Sequence, residues 1–421
     1  MQKPLKVMIV GAGTGGLCLT QGLKSDKVAV EVFERDHSPT DRLQGYRLSI
    51  NTTGSTALKA CLPMALFERL VESSAHPSQG VTFLDHQLDR LLSINFPRNA
   101  DKGVENELPV SRIALRRILL EGLDPVVHFG KKLIGFDSAA DNCVTARFED
   151  GSTATGDVLI GADGASSRVR AQLLPNAKRV ETGIVAVTGK FGLSADARAA
   201  TPHAFFCGPT LILGPRGCFL FGSAIEYREP TDSALRDRLP YDSEEYVMWG
   251  FSARREKFAL PGNFETLNGG ALKAAVLAQM NDWHPALRHM INSAEVSTVT
   301  AFPVKTSVPI PPWRTGRVTL LGDALHNMTP FRGIGANTAL RDAAALHRAL
   351  VAVSRGEADL IQSLALYEQE MIDYGFQAVR TSLKEMERFH SESLFARTFT
   401  KTVFRVADKV PPFKAAFHGN G

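Results

Sequence analysis

Short apolar runs that end in glycine and an acid recur at three distant places in the chain. The first begins at Val7 and breaks into glycines; after a helical stretch, a second run, Val28–Phe33, ends on Glu34. Later runs beginning at Val158 and Val318 each lead into a turn that carries glycine and aspartate. Continuous apolar runs are typical of strands buried on both faces in a parallel sheet. We therefore predict a parallel sheet assembled from distant segments.

The pattern changes between about residues 181 and 301, where short β-rich segments alternate with turn residues. This predicts an antiparallel sheet inserted between parts of the parallel one. Its predicted strands are Ile184–Lys190, Ala204–Cys207, Leu211–Leu213, Cys218–Ile225 and Tyr246–Phe251, with a hairpin at 81–96. A small separate sheet is predicted from Val126–Phe129, Lys132–Asp137 and Val144–Phe148. Apolar residues at helical spacing predict long helices over residues 358–390.

These elements predict an α/β protein with a Rossmann-like domain, an inserted antiparallel β-sheet domain for the substrate, and C-terminal helices. We assign residues 1–75, 105–180 and 302–355 to the discontinuous Rossmann-like domain. Residues 76–104 and 181–301 are assigned to the substrate domain, and 356–421 to the helical region. A chain of 421 residues is long enough for this division.

Composition excludes several classes of protein. The net charge of +4 comes without a basic run or an aromatic–basic cluster, so we expect no nucleic-acid partner. The five cysteines are dispersed and form no C-x-x-C pair, which argues against a metal site and for a reducing, cytoplasmic location. No apolar run approaches the ~20 residues that span a bilayer, and the basic residues near the C-terminus are interpreted as a solvated face, so no membrane partner is expected.

The first glycine turn carries the pattern of a dinucleotide site. Gly11 allows the tight turn, Gly13 lets a pyrophosphate approach the backbone, and Gly16 lets the helix pack on the strand. The start of that helix offers free N–H groups to phosphates. Glu34 ends the second strand 18 positions after Gly16 and can accept hydrogen bonds from ribose hydroxyls. The alternative is a glycine-rich turn without a ligand.

Further polar residues follow predicted strands or begin helices. Asp163 and Asp323 lie at the carboxyl ends of buried strands, where open α/β sheets bind ligands. Arg112 begins a helix, an unfavourable place for a cation, which indicates an anionic partner or a solvated arginine. Arg47 alternates with apolar neighbours and faces either a site or solvent. His326, directly after a glycine–aspartate strand end, is interpreted as structural.

Aromatic residues in the inserted sheet suit a flat apolar ligand, although a plain sheet core would have the same composition. Alternation directs Phe219 and Phe221 to one face and places Trp249 with Phe251. Phe219, Phe221 and Trp249 are candidate substrate contacts.

Three motifs in this order resemble the class A flavin-dependent aromatic monooxygenases, the p-hydroxybenzoate hydroxylase-like family. They are Gly11-x-Gly13-x-x-Gly16 with Glu34, Asp163-Gly164, and Gly322-Asp323 continuing to Pro330 and Gly333-x-Gly335-x-Asn337. Within this family, the sequence is similar to tetracycline-inactivating monooxygenases and to polyketide or alkaloid tailoring hydroxylases. The stretches that carry this similarity are Phe33–Asp36, Gly45–Ile50 and Arg112-x-x-Leu115. The similarity spans about residues 5–350.

The resemblance implies FAD as cofactor and NADPH or NADH as reductant. The implied FAD contacts are Gly11, Gly13, Thr14, Gly15, Gly16, Glu34, Arg35, Arg47, Arg112, Asp163, Gly322, Asp323, Pro330, Gly333, Gly335, Ala336 and Asn337. Of these, Arg47, Pro330 and Gly335 are expected beside the reacting flavin. Phe331 and Arg332 stand where relatives often have small or apolar residues, so they are added to the substrate contacts.

The family scheme implies O₂ addition to reduced FAD, a C4a-hydroperoxide, and oxygen transfer to an aromatic or polycyclic small molecule by hydroxylation or Baeyer–Villiger oxidation. Two alternatives stay open. One is a reductase or dehydrogenase of the same superfamily that inserts no oxygen, and the other is a non-catalytic small-molecule binder. The sequence names no catalytic base and leaves monomer or homodimer open. A flavin halogenase is disfavoured because no Trp-x-Trp-x-x-Pro segment occurs.

Overall fold

A computed structural model describes residues 4–39, 41, 47–96, 107–138, 143–227, 245–258 and 261–410. The start of the predicted strand at Gly45 and the residues after 410 lie outside this part of the chain. The helices of the described part are α1 (Thr14–Ser25), α2 (Thr52–Cys61), α3 (Met64–Glu72), α4 (Arg112–Leu120), α5 (Arg168–Leu173), α6 (Ala195–Ala200), α7 (Ala204–Cys207), α8 (Gly269–Ala278), α9 (Pro285–Ser293), α10 (Asp323–His326), α11 (Gly335–Ser354), α12 (Leu360–Phe389) and α13 (Leu394–Lys409).

A five-stranded parallel sheet is assembled from three distant parts of the chain, as the apolar runs predicted. Its spatial order is β17 (Val318–Leu320), β11 (Val158–Gly161), β1 (Lys6–Val10), β2 (Ala29–Phe33) and β7 (Val127–His128). Residues in the middle of β1 and β11 are fully buried, because helices such as α1 cover the sheet. The prediction that Val126–Phe129 belongs to the small sheet was wrong, since β7 extends the parallel sheet beside β2.

The inserted sheet has seven strands and is antiparallel except where β13 runs parallel to β4. Its order is β16 (Thr300–Ser307), β12 (Arg179–Gly192), β15 (Tyr246–Arg254), β14 (Phe219–Ile225), β13 (Thr210–Leu213), β4 (Gly80–Asp85) and β5 (Arg90–Asn95). Leu272 of helix α8 and Leu287 of helix α9 pack in one hydrophobic core with Trp249 of the inserted sheet. The segment 204–207, predicted as a strand, is the short helix α7 and packs against β14. Its Phe205 is fully buried there and fills a core instead of extending the sheet, whereas Phe206 is half-buried.

Two smaller sheets complete the described strands. One contains β8 (Leu133–Ser138), β9 (Val144–Phe148) and β10 (Thr153–Gly156), and the other pairs β3 (Arg47–Ile50) with β6 (Leu108–Ser111). The long helix α12 confirms the helical prediction for residues 358–390. It contacts α11 of the parallel-sheet side and β16 of the inserted sheet, so it lies along both. The α/β class with one parallel sheet and separate antiparallel sheets is confirmed.

Candidate cofactor and substrate site

Three glycines shape the turn between β1 and α1. Gly11 has a φ of 108°, and a Cβ there would lie 2.4 Å from the carbonyl oxygen of Ala162. A Cβ on Gly16 would lie 2.2 Å from the carbonyl oxygen of Gly11, so only glycine allows this approach of helix and strand. At Gly13, the N-cap of α1, nothing lies within 4 Å of the position of a Cβ. This open side at the positive end of a helix suits a phosphate group.

The three motifs meet at one edge of the parallel sheet. The strands that precede Gly11, Asp163 and Gly322 are neighbours in the sheet and run in the same direction. A Cβ on Gly11 would lie 2.9 Å from the Cα of Asp163, and one on Gly15 would lie 2.4 Å from the side chain of Leu321. The glycine turn is therefore packed against both later motifs, at the edge where ligands of open α/β sheets bind.

Glu34 lies at the end of β2 with its carboxylate directed at the glycine turn. Its Oε2 accepts a hydrogen bond from the backbone N–H of Ala12 at 2.7 Å, and its Oε1 accepts one from Asp36 at 3.0 Å. The residue is buried, whereas the neighbouring Arg35 is exposed. The carboxylate is thus held beside the phosphate-binding turn, where an adenosine ribose would be bound in a dinucleotide site.

Arg116 is a candidate phosphate contact that the sequence interpretation missed. Its Nη1 donates to the carbonyl oxygen of Ala12 at 2.9 Å, while its buried Nε and Nη2 have no hydrogen-bond partner in the described part of the chain. Arg112, the residue chosen from the sequence, is exposed at the first position of α4. Arg116 lies one helical turn later, so the i, i+4 relation to Arg112 was the signal that could have identified it.

Asp163 caps the start of α5. Its Oδ2 accepts hydrogen bonds from the backbone N–H groups of Arg168 at 2.7 Å and Val169 at 3.3 Å. Its Oδ1 is buried without a partner among the described residues. Arg170 is close enough for its positive charge to be favoured by Asp163, although burial has the larger effect and lowers the arginine pKa. One carboxylate oxygen is therefore fixed by the protein and the other is available to a ligand.

Asp342 holds the third motif in place. Its Oδ2 accepts the backbone N–H of Gly322 at 2.7 Å and lies 2.7 Å from Nε2 of His326, and its Oδ1 accepts the hydroxyl of Tyr374. Burial lowers the pKa of His326, but the Asp342 charge and hydrogen bond outweigh it, and the net pKa is raised. His326 is therefore structural, as expected. Asp323, which follows Gly322 at a φ of 65° that glycine adopts readily, is exposed at the sheet edge.

The loop after α10 combines one turn of 3₁₀ helix, Pro330–Arg332, with the start of α11. Gly333 adopts the left-handed conformation with a φ of 64° and has open space where a Cβ would be. Asn337 is buried, and its side chain joins this loop to β3: Oδ1 accepts Asn51 N at 2.9 Å, and Nδ2 donates to Ser49 O at 2.9 Å. The Asn337 amide is thus engaged within the protein, which leaves the backbone near Gly335 and Ala336 for a cofactor.

Arg47 connects the two halves of the molecule. Its guanidinium donates to Glu107 at 2.8 Å, to Ser78 at 2.9 Å and, on the inserted sheet, to Ser223 at 2.9 Å. The Arg47 side chain is 7% exposed and that of Glu107 is 17% exposed. The Nε of Arg47 is buried and has no partner in the described residues. Most of the guanidinium is therefore engaged in a structural cluster, and only Nε remains to face a ligand.

Aromatic rings line the face of the inserted sheet that is turned toward the loop 330–335. Phe219 stacks on Phe389 with ring centres 4.7 Å apart and meets the edge of Phe331 at 5.6 Å. Phe221 is half-buried on the same face, and Phe331 is half-buried between the sheet and α12. Arg332, also half-buried, follows Phe331 directly. These residues bring the loop and the aromatic face together.

Trp249 does not belong to this wall, which disfavours it as a substrate contact. It pairs with Gly222, whereas Phe221 pairs with Gly250, so Trp249 and Phe221 lie on opposite faces of the sheet. Trp249 is fully buried with Phe251 in the core beneath α8 and α9. Alternation along the strand had placed these two residues together, and that part of the prediction is confirmed.

His390 is a second residue that the sequence interpretation missed. Its Nδ1 donates to the carbonyl oxygen of Met386 and its Nε2 accepts from the Ser252 hydroxyl, both at 2.8 Å. Burial lowers the pKa of His390 to about 4, so the imidazole is neutral. Its ring meets Phe331 edge-on at 4.9 Å and borders a cavity of about 320 Å³. Nothing in the local sequence distinguished this histidine, because it acts through partners on other elements.

Comparison with known proteins agrees with this geometry. A family model described as a FAD binding domain matches residues 275–382. The dual O-methyltransferase/FAD-dependent monooxygenase elcB of Phaeosphaeria nodorum is 33% identical over 86% of this chain and 42% of that protein. The FAD-dependent monooxygenase dbaB of Emericella nidulans is 32% identical over 83% of this chain and 87% of that protein. The chain thus spans less than half the length of the dual-function relatives it matches.

Solved structures show the same architecture. A Photorhabdus luminescens protein described as a FAD containing monooxygenase is 30% identical, with a TM-score of 0.81, over 92% of this chain and 98% of that one. Klebsiella pneumoniae HpxO, solved with FAD and uric acid, is 23% identical with a TM-score of 0.78 over 96% of this chain and 94% of its own, and shares the fold. The fold and the cradle at the sheet edge define a FAD-binding protein. More specifically, the chain belongs to the family of FAD-dependent monooxygenases.

Proposed function

We propose that the protein is a monooxygenase that binds FAD and consumes NADPH or NADH and O₂. It oxidises an aromatic or polycyclic small molecule by hydroxylation or Baeyer–Villiger oxidation. The observation that carries this proposal is the continuity of the site. Three motifs meet at one sheet edge, and the loop Pro330–Asn337 continues from them to an aromatic face of the inserted sheet. Such an arrangement suits an extended cofactor that presents one end to a flat apolar ligand.

The residues present fit FAD. The open side of Gly13 suits the pyrophosphate, and the unpartnered nitrogens of Arg116 suit its negative charge. Glu34 would accept hydrogen bonds from the adenosine ribose, and Asp323 from the hydroxyl-bearing chain of the cofactor. The Asp163 Oδ1 atom, which is otherwise an orphaned buried acceptor, suits a hydroxyl or N–H group. Backbone N–H groups at the start of α11 would stabilise negative charge on the flavin ring.

Bound FAD would supply the redox and oxygen-transfer chemistry, and the protein would supply orientation and exclusion of water. The half-buried Phe221 and Phe331 would hold a flat apolar substrate, and the buried Phe219, which is 3% exposed, would support them from behind. Arg332 would bind a carbonyl or acidic group on the substrate. Arg47 would act mainly by holding β3 against the inserted sheet, and its Nε, which has no partner among the described residues, would be available to the cofactor. His390 is neutral and would keep the wall around Phe331 in place.

A test of this function measures NADPH and NADH oxidation by the FAD-loaded protein against aromatic, quinone and polyketide compounds under ¹⁸O₂, with mass analysis of products. The expected result is ligand-stimulated oxidation with one labelled oxygen in the product. Ligand-stimulated oxidation without label would instead identify a reductase or dehydrogenase. FAD binding without any turnover across the compound set would favour a non-catalytic binder.

We also propose a cytosolic location and a monomer or homodimer. All five cysteines are free thiols, which supports a reducing compartment. Size-exclusion chromatography with light scattering measures the oligomeric state directly.

A further inference from the structure

Helix α13 (Leu394–Lys409) has the most exposed large apolar side chains in the described part of the chain. Phe395 is 81% exposed, Leu394 is 74% exposed and Phe399 is 61% exposed. Scattered exposed apolar residues are normal in soluble proteins, but neighbouring ones on a single element indicate a contact surface. These three residues begin such a surface.

The opposite side of the same helix is firmly packed. Phe404 and Ala407 are each 2% exposed and belong to a core cluster with β5. The Phe404 ring meets the edge of Phe83 with centres 4.8 Å apart and lies beneath the guanidinium of Arg388 at 4.8 Å. The exposure of the outer face therefore does not come from a helix detached from the protein.

Three exposed apolar residues lie along one face of the helix. Phe395, Phe399 and Val406 fall at positions i, i+4 and i+11, which align side chains on one helical face, and the polar Thr402 lies between the last two at i+7. The rings of Phe395 and Phe399 stack with an interplanar angle of 15° and centres 6.4 Å apart. Val406 continues the stripe at 48% exposure. Here we call Phe395, Phe399 and Val406 the outer stripe; Leu394, which directly precedes Phe395, lies to one side of it.

Positive charge borders the outer stripe. Of the four cations on the helix, Arg397 and Lys401 face the protein: Arg397 donates to the carbonyl oxygen of Gly214 at 3.1 Å, and the Lys401 side chain is only 17% exposed. Arg405 and Lys409 are the cations that border the outer stripe. Arg405 has a side chain that is 51% exposed, and Lys409 is exposed as well. The acid that faces them from β4, Asp85, is only 10% exposed and lies 3.7 Å from Arg405 and 3.9 Å from Lys401. On β5, the 67%-exposed Arg90 pairs with Asp408 and adds a further cation.

We infer that the outer stripe docks on an anionic lipid surface. An amphipathic helix with phenylalanine and leucine on one side and lysine and arginine beside them lies in the plane of a membrane interface. Its apolar residues enter the boundary of the acyl chains while its cations contact anionic headgroups. Within the described residues no helix is long and apolar enough to cross a bilayer, so the association is peripheral. This inference differs from the solvated face expected from the sequence, because the sequence did not show that Phe395 and Phe399 point outward together.

Charge also decides against a second copy of the chain as the occupant. Pairing the outer stripes of two molecules would bring the exposed cations Arg405 and Lys409 of both helices close together, and such like-charge contacts are unfavourable. An anionic membrane surface satisfies both features of the face, the apolar stripe and the cations that border it. The inference rests only on this helix and does not depend on the proposed oxygenase activity.

The test is co-sedimentation of the FAD-loaded full chain with vesicles of phosphatidylcholine and phosphatidylserine at roughly 7:3, compared with phosphatidylcholine alone. We expect clear enrichment on the anionic vesicles and release at about 0.5 M NaCl, where charge attraction is screened. Phe395→Ser combined with Phe399→Ser is expected to reduce the bound fraction about fivefold or more, and Lys409→Glu to reduce it less. Leu366→Ser, which changes a 59%-exposed apolar residue on α12, is the matched control and is expected to bind as the parent does.

The double serine variant replaces exposed side chains, so its melting temperature and FAD content are expected to match those of the parent. If the parent fails to sediment with anionic vesicles, or if the double variant binds equally well, the inference is overturned. Sedimentation velocity supplies a further check. A dimer that disappears in the double variant would identify a second copy as the occupant and overturn the lipid assignment.

Discussion

At the scale of single residues, Arg116 and Arg112 show how one helical turn changes a role. Both are arginines on the same helix, yet only Arg116 reaches the turn at Ala12 and keeps buried nitrogens without partners in the described residues. A cation in this position would neutralise a pyrophosphate through charge-assisted hydrogen bonds. We therefore propose Arg116 as the phosphate contact because of the direction in which its side chain approaches the turn, which residue type alone does not show.

Replacing Arg116 with alanine is expected to weaken FAD binding about 10- to 100-fold, because hydrogen bonds to charged groups contribute ~1.5–3 kcal/mol. The measurement is fluorescence titration of the apoprotein with FAD. Arg117→Ala, at an exposed position of the same helix, is the control and is expected to leave affinity unchanged. A larger loss in Arg112→Ala than in Arg116→Ala would support the sequence-based assignment instead.

His390 predicts a pH dependence of stability. Its pKa is about 4 in the folded protein, lowered mainly by burial, against about 6.5 in an unfolded chain. Because the unfolded state binds the proton first, the contribution of neutral His390 is present above pH ~6.5 and is lost as pH falls to ~4. The loss is on the order of 3 kcal/mol.

In denaturant unfolding at several pH values, His390→Gln is expected to show a flatter dependence than the parent over this window. His289→Gln, at an exposed position, is the control and should retain the parental slope. An unchanged slope in His390→Gln would contradict the assignment of a neutral buried imidazole.

At the scale of an element, strand alternation separates packing from recognition. Trp249 lies in the core beneath α8 and α9, whereas Phe221 lies on the aromatic face near the loop 330–335. The two residues belong to neighbouring strands and differ only in the face on which they project. One side of the sheet thus belongs to the core, and we propose that the half-buried residues of the other side contact a ligand.

Trp249→Ala is expected to destabilise the protein by about 3–5 kcal/mol, the usual cost of removing a large buried aromatic side chain. Phe221→Ala, at a half-buried position, is expected to raise KM for an identified substrate several-fold with little effect on the melting temperature. The two measurements are thermal unfolding and steady-state kinetics on both variants. A Trp249→Ala protein of parental stability with an altered KM would restore Trp249 as a substrate contact.

At the scale of the whole molecule, the cluster around Arg47 ties β3 to the inserted sheet. Arg47 and Glu107 form an ion pair with little exposure, and Ser223 belongs to the other sheet. Breaking one side of a buried pair leaves an uncompensated charge. The cluster therefore fixes the position of the inserted sheet relative to the edge of the parallel sheet where the cofactor is proposed to bind.

Glu107→Gln removes the charge while keeping the size of the side chain, and is expected to destabilise the protein by about 3 kcal/mol. Glu149→Gln serves as the control, because its partner Lys132 and Glu149 itself are 42% and 60% exposed, and an ion pair at the surface contributes little to stability. Urea unfolding of both variants measures the difference. Equal stabilities would show that the Arg47 cluster does not hold the two sheets together.

The sequence by itself determined the parallel sheet, the glycine turns and the acids at strand ends. These features are local: an apolar run buries a strand, and a glycine allows a backbone conformation or approach that a Cβ would block, as at Gly11. The inserted antiparallel sheet and the long helix over residues 358–390 were predicted for the same reason, since their periodicity is local. The domain boundaries and the FAD contacts taken one by one stay predictions.

Only the tertiary structure decided which side chains share a site. The Asn337 amide forms hydrogen bonds with Ser49 of β3 and with Asn51, nearly three hundred residues away in the chain. Arg116 donates to Ala12, and His390 accepts a hydrogen bond from Ser252 on the inserted sheet. Each depends on a partner remote in sequence, and no local pattern encodes such a pairing. The outer stripe of α13 likewise depends on the tertiary structure, because the opposite side of this helix is packed in a core. Local sequence patterns determined the helices and strands, and long-range packing determined which of their side chains lie together in a site.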